Sequence, residues 1–68
     1  MNKYYSVMRP VSIGTYPKNG AVNIVNFEDR KFCKEINGEA WGYIEYDRFL
    51  TDAELNDYEL KKGRRESQ

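Results

Sequence analysis

Glu39-Ala40-Trp41-Gly42-Tyr43-Ile44-Glu45-Tyr46-Asp47-Arg48-Phe49 is the stretch on which the fold turns. Its density of aromatic residues predicts a strand. Side chains alternate along a strand, so Trp41, Tyr43 and Glu45 share one face and Ala40, Gly42, Ile44 and Tyr46 the other. Gly42 sits among large side chains, which predicts that another backbone or a ring approaches closely there.

Moving outward from this strand, Leu50-Thr51-Asp52-Ala53-Glu54-Leu55 carries the signature of a helix start. Thr51 is placed to cap the first turn, Glu54 to complete a capping box, and Leu50 and Leu55 to form a hydrophobic staple. Asp52 and Glu54 favour the positive end of the helix dipole. A short helix ending near Tyr58 is expected, followed by a brief edge strand at Tyr58-Glu59-Leu60. Residues 61–68 are polar and basic and are expected to form a flexible tail.

In the other direction, Asn26 resembles an N-cap with Asp29 behind it. That predicts a short helix in which Phe32 and Ile36 share a face beside Cys33, with Asn37-Gly38 as its stop. Val22 to Phe27 is β-branched at Val22, Ile24 and Val25 and predicts a strand. Gly14, Pro17 and Asn19-Gly20 predict a loop from Ser12 to Ala21. Lys3 to Val11 predicts the first strand, with Pro10 at its end or on an edge. The fold class is therefore α+β: a small, mostly antiparallel sheet of three to four strands with one or two short helices. A helix between the second and third strands would permit a parallel crossover there. One domain is expected over residues 3–60, with the tail at 61–68.

The chain has 68 residues, 40% hydrophobic, 15% aromatic and 32% charged. That composition folds and is not that of a disordered segment. Below roughly 70–80 residues a single core rarely supplies more than about 3–5 kcal/mol, and small domains usually add staples. Cys33 is the sole cysteine and there is no histidine, so an internal disulfide and imidazole-based or four-cysteine zinc sites are excluded. Aromatic packing is the remaining source of stability, with self-association as an alternative. A lone cysteine and an N-terminus without an apolar signal core predict a reducing cytoplasm, and no apolar run is long enough to span a bilayer.

Eleven basic residues balance eleven acidic ones. This neutrality argues against a simple electrostatic nucleic-acid binder. Along the chain, however, residues 1–34 hold six basic groups and two acidic ones, whereas residues 35–60 hold eight acidic groups and Arg48 alone as a base. Solvated faces are the ordinary explanation of such an order.

Four constellations bear on chemistry. Glu45 and Asp47 are spaced to share a strand face and to hold Mg²⁺ with waters, as a small metal-dependent nuclease would need, but the sequence marks no third ligand. Charges that discourage edge pairing explain the pair more simply. Cys33 lacks a histidine to activate it and reads as a small buried hydrophobe. Tyr5, Trp41 and Tyr43, with Arg9 and Lys3 near and Lys61, Lys62, Arg64 and Arg65 in the tail, form a candidate surface for a partner or for single-stranded nucleic acid. Core packing competes for the same aromatic residues. Lastly, Glu45, Asp47, Asp52, Glu54, Asp57 and Glu59 could imitate phosphates, a weak signal on a neutral chain.

Three stretches together resemble a known group: Lys3-Tyr4-Tyr5-Ser6-Val7-Met8-Arg9-Pro10-Val11 with Gly14-Thr15-Tyr16-Pro17; Val22-Asn23-Ile24-Val25-Asn26-Phe27; and Glu39-Ala40-Trp41-Gly42-Tyr43-Ile44-Glu45-Tyr46 with Leu50-Thr51 and Tyr58-Glu59-Leu60. The group comprises small proteins of conjugative elements and phages of Gram-positive gut bacteria, some labelled as related to defence-against-restriction (DarA-type) proteins. The resemblance covers roughly residues 3–60. It implies a non-enzymatic accessory protein of a mobile genetic element, acting by binding a partner, with shielding of incoming DNA from restriction as the implied role. It brings no catalytic residues and no cofactor. A protein partner is expected, with DNA binding and homo-oligomerisation as alternatives and no membrane association.

Overall fold

The computed structural model describes residues 2–63. The described chain forms four strands, β1 (Asn2–Ser6), β2 (Ala21–Cys33), β3 (Gly38–Tyr46) and β4 (Leu60–Lys62), with one helix, α1 (Asp52–Tyr58), between β3 and β4 in sequence. The strands form a single sheet in the order β2-β3-β1-β4. Every neighbouring pair is antiparallel. This is the expected α+β architecture, with four strands and one helix.

β3 lies inside the sheet and its burial alternates as its sequence predicts, although Ala40 packs with Tyr5 and Ile36 and not with Ile44 and Tyr46. Ala40, Gly42, Ile44 and Tyr46 are buried, whereas Trp41, Tyr43 and Glu45 are half-buried. Gly42 also meets its expectation. A Cβ there would overlap the Val25 carbonyl oxygen and lie 2.8 Å from Val11 Cγ2.

The main core covers the first face of the sheet. Tyr4, Ile44, Tyr46 and Leu60 pack with Val11 and Tyr16 from the loop after β1 and with Leu50, and Leu55 and Tyr58 of α1 close over them. The rings of Tyr4 and Tyr46 meet edge to face at 5.7 Å. Buried phenols need hydrogen-bond partners, and both have them. Tyr46 Oη donates to the Pro17 carbonyl at 2.5 Å, and Tyr4 Oη accepts from the Leu50 amide at 3.0 Å. Burial pushes the Tyr46 hydroxyl well above its usual titration range.

α1 begins as read. Thr51 accepts from the Glu54 amide at 3.1 Å, and Glu54 accepts from the Thr51 amide at 2.9 Å. The helix stops because Glu59 takes a left-handed conformation, φ 54°, with its amide donating to the Leu55 carbonyl. The last strand therefore starts at Leu60 and not at Tyr58.

The region after Asn26 departs from its expectation. No helix forms there: β2 runs on to Cys33 and returns into β3 as an antiparallel hairpin. There is consequently no crossover and no parallel pair. Asn26 Oδ1 does accept from a nearby amide, but the donor is Glu28, at 3.2 Å, and the result is a bulge. Asn26 pairs with Gly42 and Lys31 with Ala40, so Phe27, Glu28, Asp29 and Arg30 stand opposite Trp41 alone. Glu28 has a positive φ of 70°. Cap-like side-chain bonds serve helices and turns alike, so Asn26 is ambiguous from sequence. Phe32 is 62% exposed, while Ile36 is buried in the hairpin turn, so the two do not share a helical face. Asn37-Gly38 closes that turn, with Asn37 at φ 52°.

β1 is also shorter than the expected 3–11 strand. The buried Ser6 hydroxyl donates to the Arg9 carbonyl at 2.5 Å, which bends the chain before Pro10. At the other end, residues 61–63 are not tail. Lys61 and Lys62 pair with Tyr5 and Tyr4, and the buried Gly63 donates its amide to the Lys3 carbonyl at 2.8 Å. The remainder of the expected tail, residues 64–68, lies outside the described residues. No helix among the described residues is long and apolar enough to cross a membrane.

Candidate partner-binding face

The second face of the sheet is assembled by register. Directly paired residues on neighbouring strands project to the same side. Lys3 pairs with Glu45, Tyr5 with Tyr43, Val25 with Tyr43 and Asn23 with Glu45. The hairpin turn folds back over one end of this face. Ile36 packs there with Tyr5 and Ala40, with Val7, Cys33 and Tyr43 against them. The rest of the face carries half-buried Val25, Phe27 and Tyr43.

Tyr43 is the centre of this patch. Its ring lies 5.7 Å from the ring of Tyr5 and 5.9 Å from that of Phe27, the latter edge to face. The Lys3 ammonium sits 4.4 Å from its centroid, a cation–π distance. Lys3 also approaches Glu35 at 3.6 Å, and Glu35 accepts the Tyr5 hydroxyl proton bond. Lys31 reaches over Phe27 at 5.3 Å. Cys33 donates its thiol to the Lys31 carbonyl at 3.5 Å. Burial raises its pKa, opposed by the nearby Lys3 and Lys31 charges. A thiol held protonated is a poor nucleophile, in keeping with the packing role expected of it.

The structure therefore unites Tyr5 with Tyr43 but changes their accessibility, while Trp41 is half-buried opposite the β2 bulge. Tyr5 is 4% exposed, so its ring is not free to stack. Arg9 does not join them. It pairs with Glu59 and donates to the Tyr58 carbonyl at 3.4 Å, at the end of α1. Lys61 lies opposite Tyr5, whereas Lys62 lies opposite Tyr4 with its ammonium 4.8 Å from the ring of Phe49. Lys61 and Lys62 also line a shallow depression with Lys34, Glu35, Ile36 and Asn37. Arg64 and Arg65 lie outside the described residues.

Val25, Phe27, Lys31 and Glu35 belong to this face although the sequence reading did not single them out. Alternation from Val25 to Phe27 was the available signal for the first two. Lys31 and Glu35 were hidden by the helix expected around them.

The acidic groups do not form one surface. Glu54 is bound by Arg48 through two hydrogen bonds of 3.0 and 2.9 Å. Glu59 pairs with Arg9, and Glu45 accepts from Asn23 at 2.9 Å. Half of the proposed phosphate imitators thus already have partners. Asp47 is exposed beyond the end of β3, where its amide donates to the Gly20 carbonyl at 3.0 Å. Among the described residues no group of three or more Asp, Glu, Cys or His converges around it or elsewhere.

The chain matches over residues 1–65 the family model described as defence against restriction A C-terminal. No curated protein and no solved structure matches it. With a match that spans the sheet, the helix and the aromatic face, the chain belongs to the defence-against-restriction A C-terminal family.

Proposed function

We propose that this chain is a non-enzymatic accessory module of a mobile genetic element, protecting incoming DNA from restriction by binding a protein partner through the second face of its sheet. Family membership supports the defence setting. The observation that carries the binding reading is the pairing of half-buried Val25 and Phe27 with the Lys3, Lys31 and Glu35 charges around Tyr43. Apolar side chains left beside charged flanks are the usual form of a protein-binding patch. Base stacking needs a free ring face. Tyr5 is buried and Tyr43 is packed by two rings and the Lys3 ammonium, so these rings favour a protein partner over unpaired bases.

The test is transfer of unmodified plasmid into a restricting host and an isogenic host without restriction. The chain is supplied with or without Val25→Arg. Protection by the wild type and its loss in a folded Val25→Arg variant is the expected pattern. Absence of protection by the wild type contradicts the defence role, and full protection by the variant contradicts the face.

A second reading, single-stranded nucleic-acid binding, is favoured by one observation: Lys34, Lys61 and Lys62 line a common depression. Such binding would weaken steeply with salt and quench Trp41 emission. The protein-partner reading expects neither effect in an oligonucleotide titration.

A further inference from the structure

We infer that the Ala21–Asn26 edge of β2 pairs antiparallel with the same edge of a second copy of this chain. This inference does not rest on the defence reading and concerns the backbone edge of β2, although Val25 of that edge also belongs to the candidate face.

The sheet has two edges, β2 and β4. Edges expose unpaired backbone donors and acceptors, and natural proteins guard them with short strands, lysines or bulges. The β4 edge is guarded in two of these ways, being three residues long and carrying Lys61 and Lys62. The far half of β2 is guarded by its bulge, where Glu28, Asp29, Arg30 and Lys31 gather. The near half has one register shift, at Val22 between Ala21 and Asn23, but Asn23–Asn26 runs on in regular pairing and carries neither lysine nor shortening. Ala21-Val22-Asn23-Ile24-Val25-Asn26 contains no charge and no proline. Val22 and Ile24 are 48% and 46% exposed along it.

Charge order selects the occupant. Lys18 precedes this segment and Glu28-Asp29 follows it. Antiparallel self-pairing about a two-fold axis near Asn23 reverses the order between copies. It brings Lys18 of each copy towards Glu28 and Asp29 of the other, while the uncharged residues meet in the middle. Complementary charges flanking an apolar centre fix register and select the partner. An isologous pairing of this kind closes on itself and leaves β4 as the outer edge of a continuous sheet. The added burial also suits a chain near the lower size limit for independent folding.

The test is light scattering on the full chain over about 10 to 500 µM at low salt, a range in which mass action reveals weak association. The expected mass rises with concentration from 8.1 kDa towards twice that value. Ile24→Lys, at an exposed position, is expected to remain monomeric with an unchanged circular dichroism spectrum. Lys18→Glu is expected to weaken the dimer, and Lys18→Glu with Glu28→Lys to restore it. A wild type that stays monomeric throughout overturns the inference. So does a dimer indifferent to Ile24→Lys, or a charge-reversed double variant no better than Lys18→Glu alone.

Discussion

Gly42 has no tolerance for a side chain, because the Val25 carbonyl and the Val11 methyl already occupy the space of a Cβ. Overpacking of this kind costs typically about 1–3 kcal/mol, and the obstacle here includes backbone, so Gly42→Ala is expected at the upper end. Urea unfolding of the variant checks this. Glu54 carries the pH dependence. Hydrogen bonds from Arg48, then from the Thr51 amide, lower its pKa from 4.5 to about 2. A carboxylate with a depressed folded pKa adds stability that is complete above its unfolded pKa and is lost as pH falls through the folded one. The wild type is therefore expected to lose stability between about pH 4.5 and pH 2, and Glu54→Gln to lose less over that window; paired unfolding curves at both ends measure the difference. Of the aromatic residues singled out from the sequence, Tyr5 and Tyr43 do meet, across the β1–β3 pairing. Their burial was not legible in the sequence, because it depends on Phe27, Lys3 and Ile36 arriving from distant positions. Arg9 was misplaced for a related reason. Its nearness to Lys3 in sequence is undone by the bend at Ser6.

Among the elements, α1 shows sequence and structure in closest agreement, because its signals act within one turn. Thr51→Ala removes the side-chain half of the capping box and is expected to destabilise the chain by about 1 kcal/mol, read as a lowered urea midpoint. β2 shows the opposite case. Its two halves are separated by a bulge whose local chemistry, an asparagine accepting from an amide two residues on, is the same chemistry that starts helices. Lys31, Phe32 and Cys33 become strand through pairing with Ala40, Glu39 and Gly38, a contact that no local window contains. A helix period and a strand period are also hard to separate over so few residues. The same long-range dependence hid Lys31 and Glu35 from the reading of the site.

For the whole molecule, the α+β class was readable from composition and the alternation of β3, but strand order was not. β1 comes first in sequence yet lies between β3 and β4, so the sheet is completed only by the last strand. Deleting residues 60–63 would strip β1 of a neighbour, remove Leu60 from the main core and take away the amide that binds the Lys3 carbonyl. Loss of a cooperative thermal transition is expected, since a domain this small has little stability in reserve. The β1–β4 pairing has one more consequence. The described chain enters at Asn2 and leaves at Gly63 on adjacent strands, with the Gly63 amide bound to the Lys3 carbonyl. Neighbouring entry and exit points of this kind are what circular permutation exploits. A flexible linker joining Gly63 to Asn2 in a permuted chain is thus expected to leave every strand pairing of the sheet intact, read as an unchanged circular dichroism spectrum.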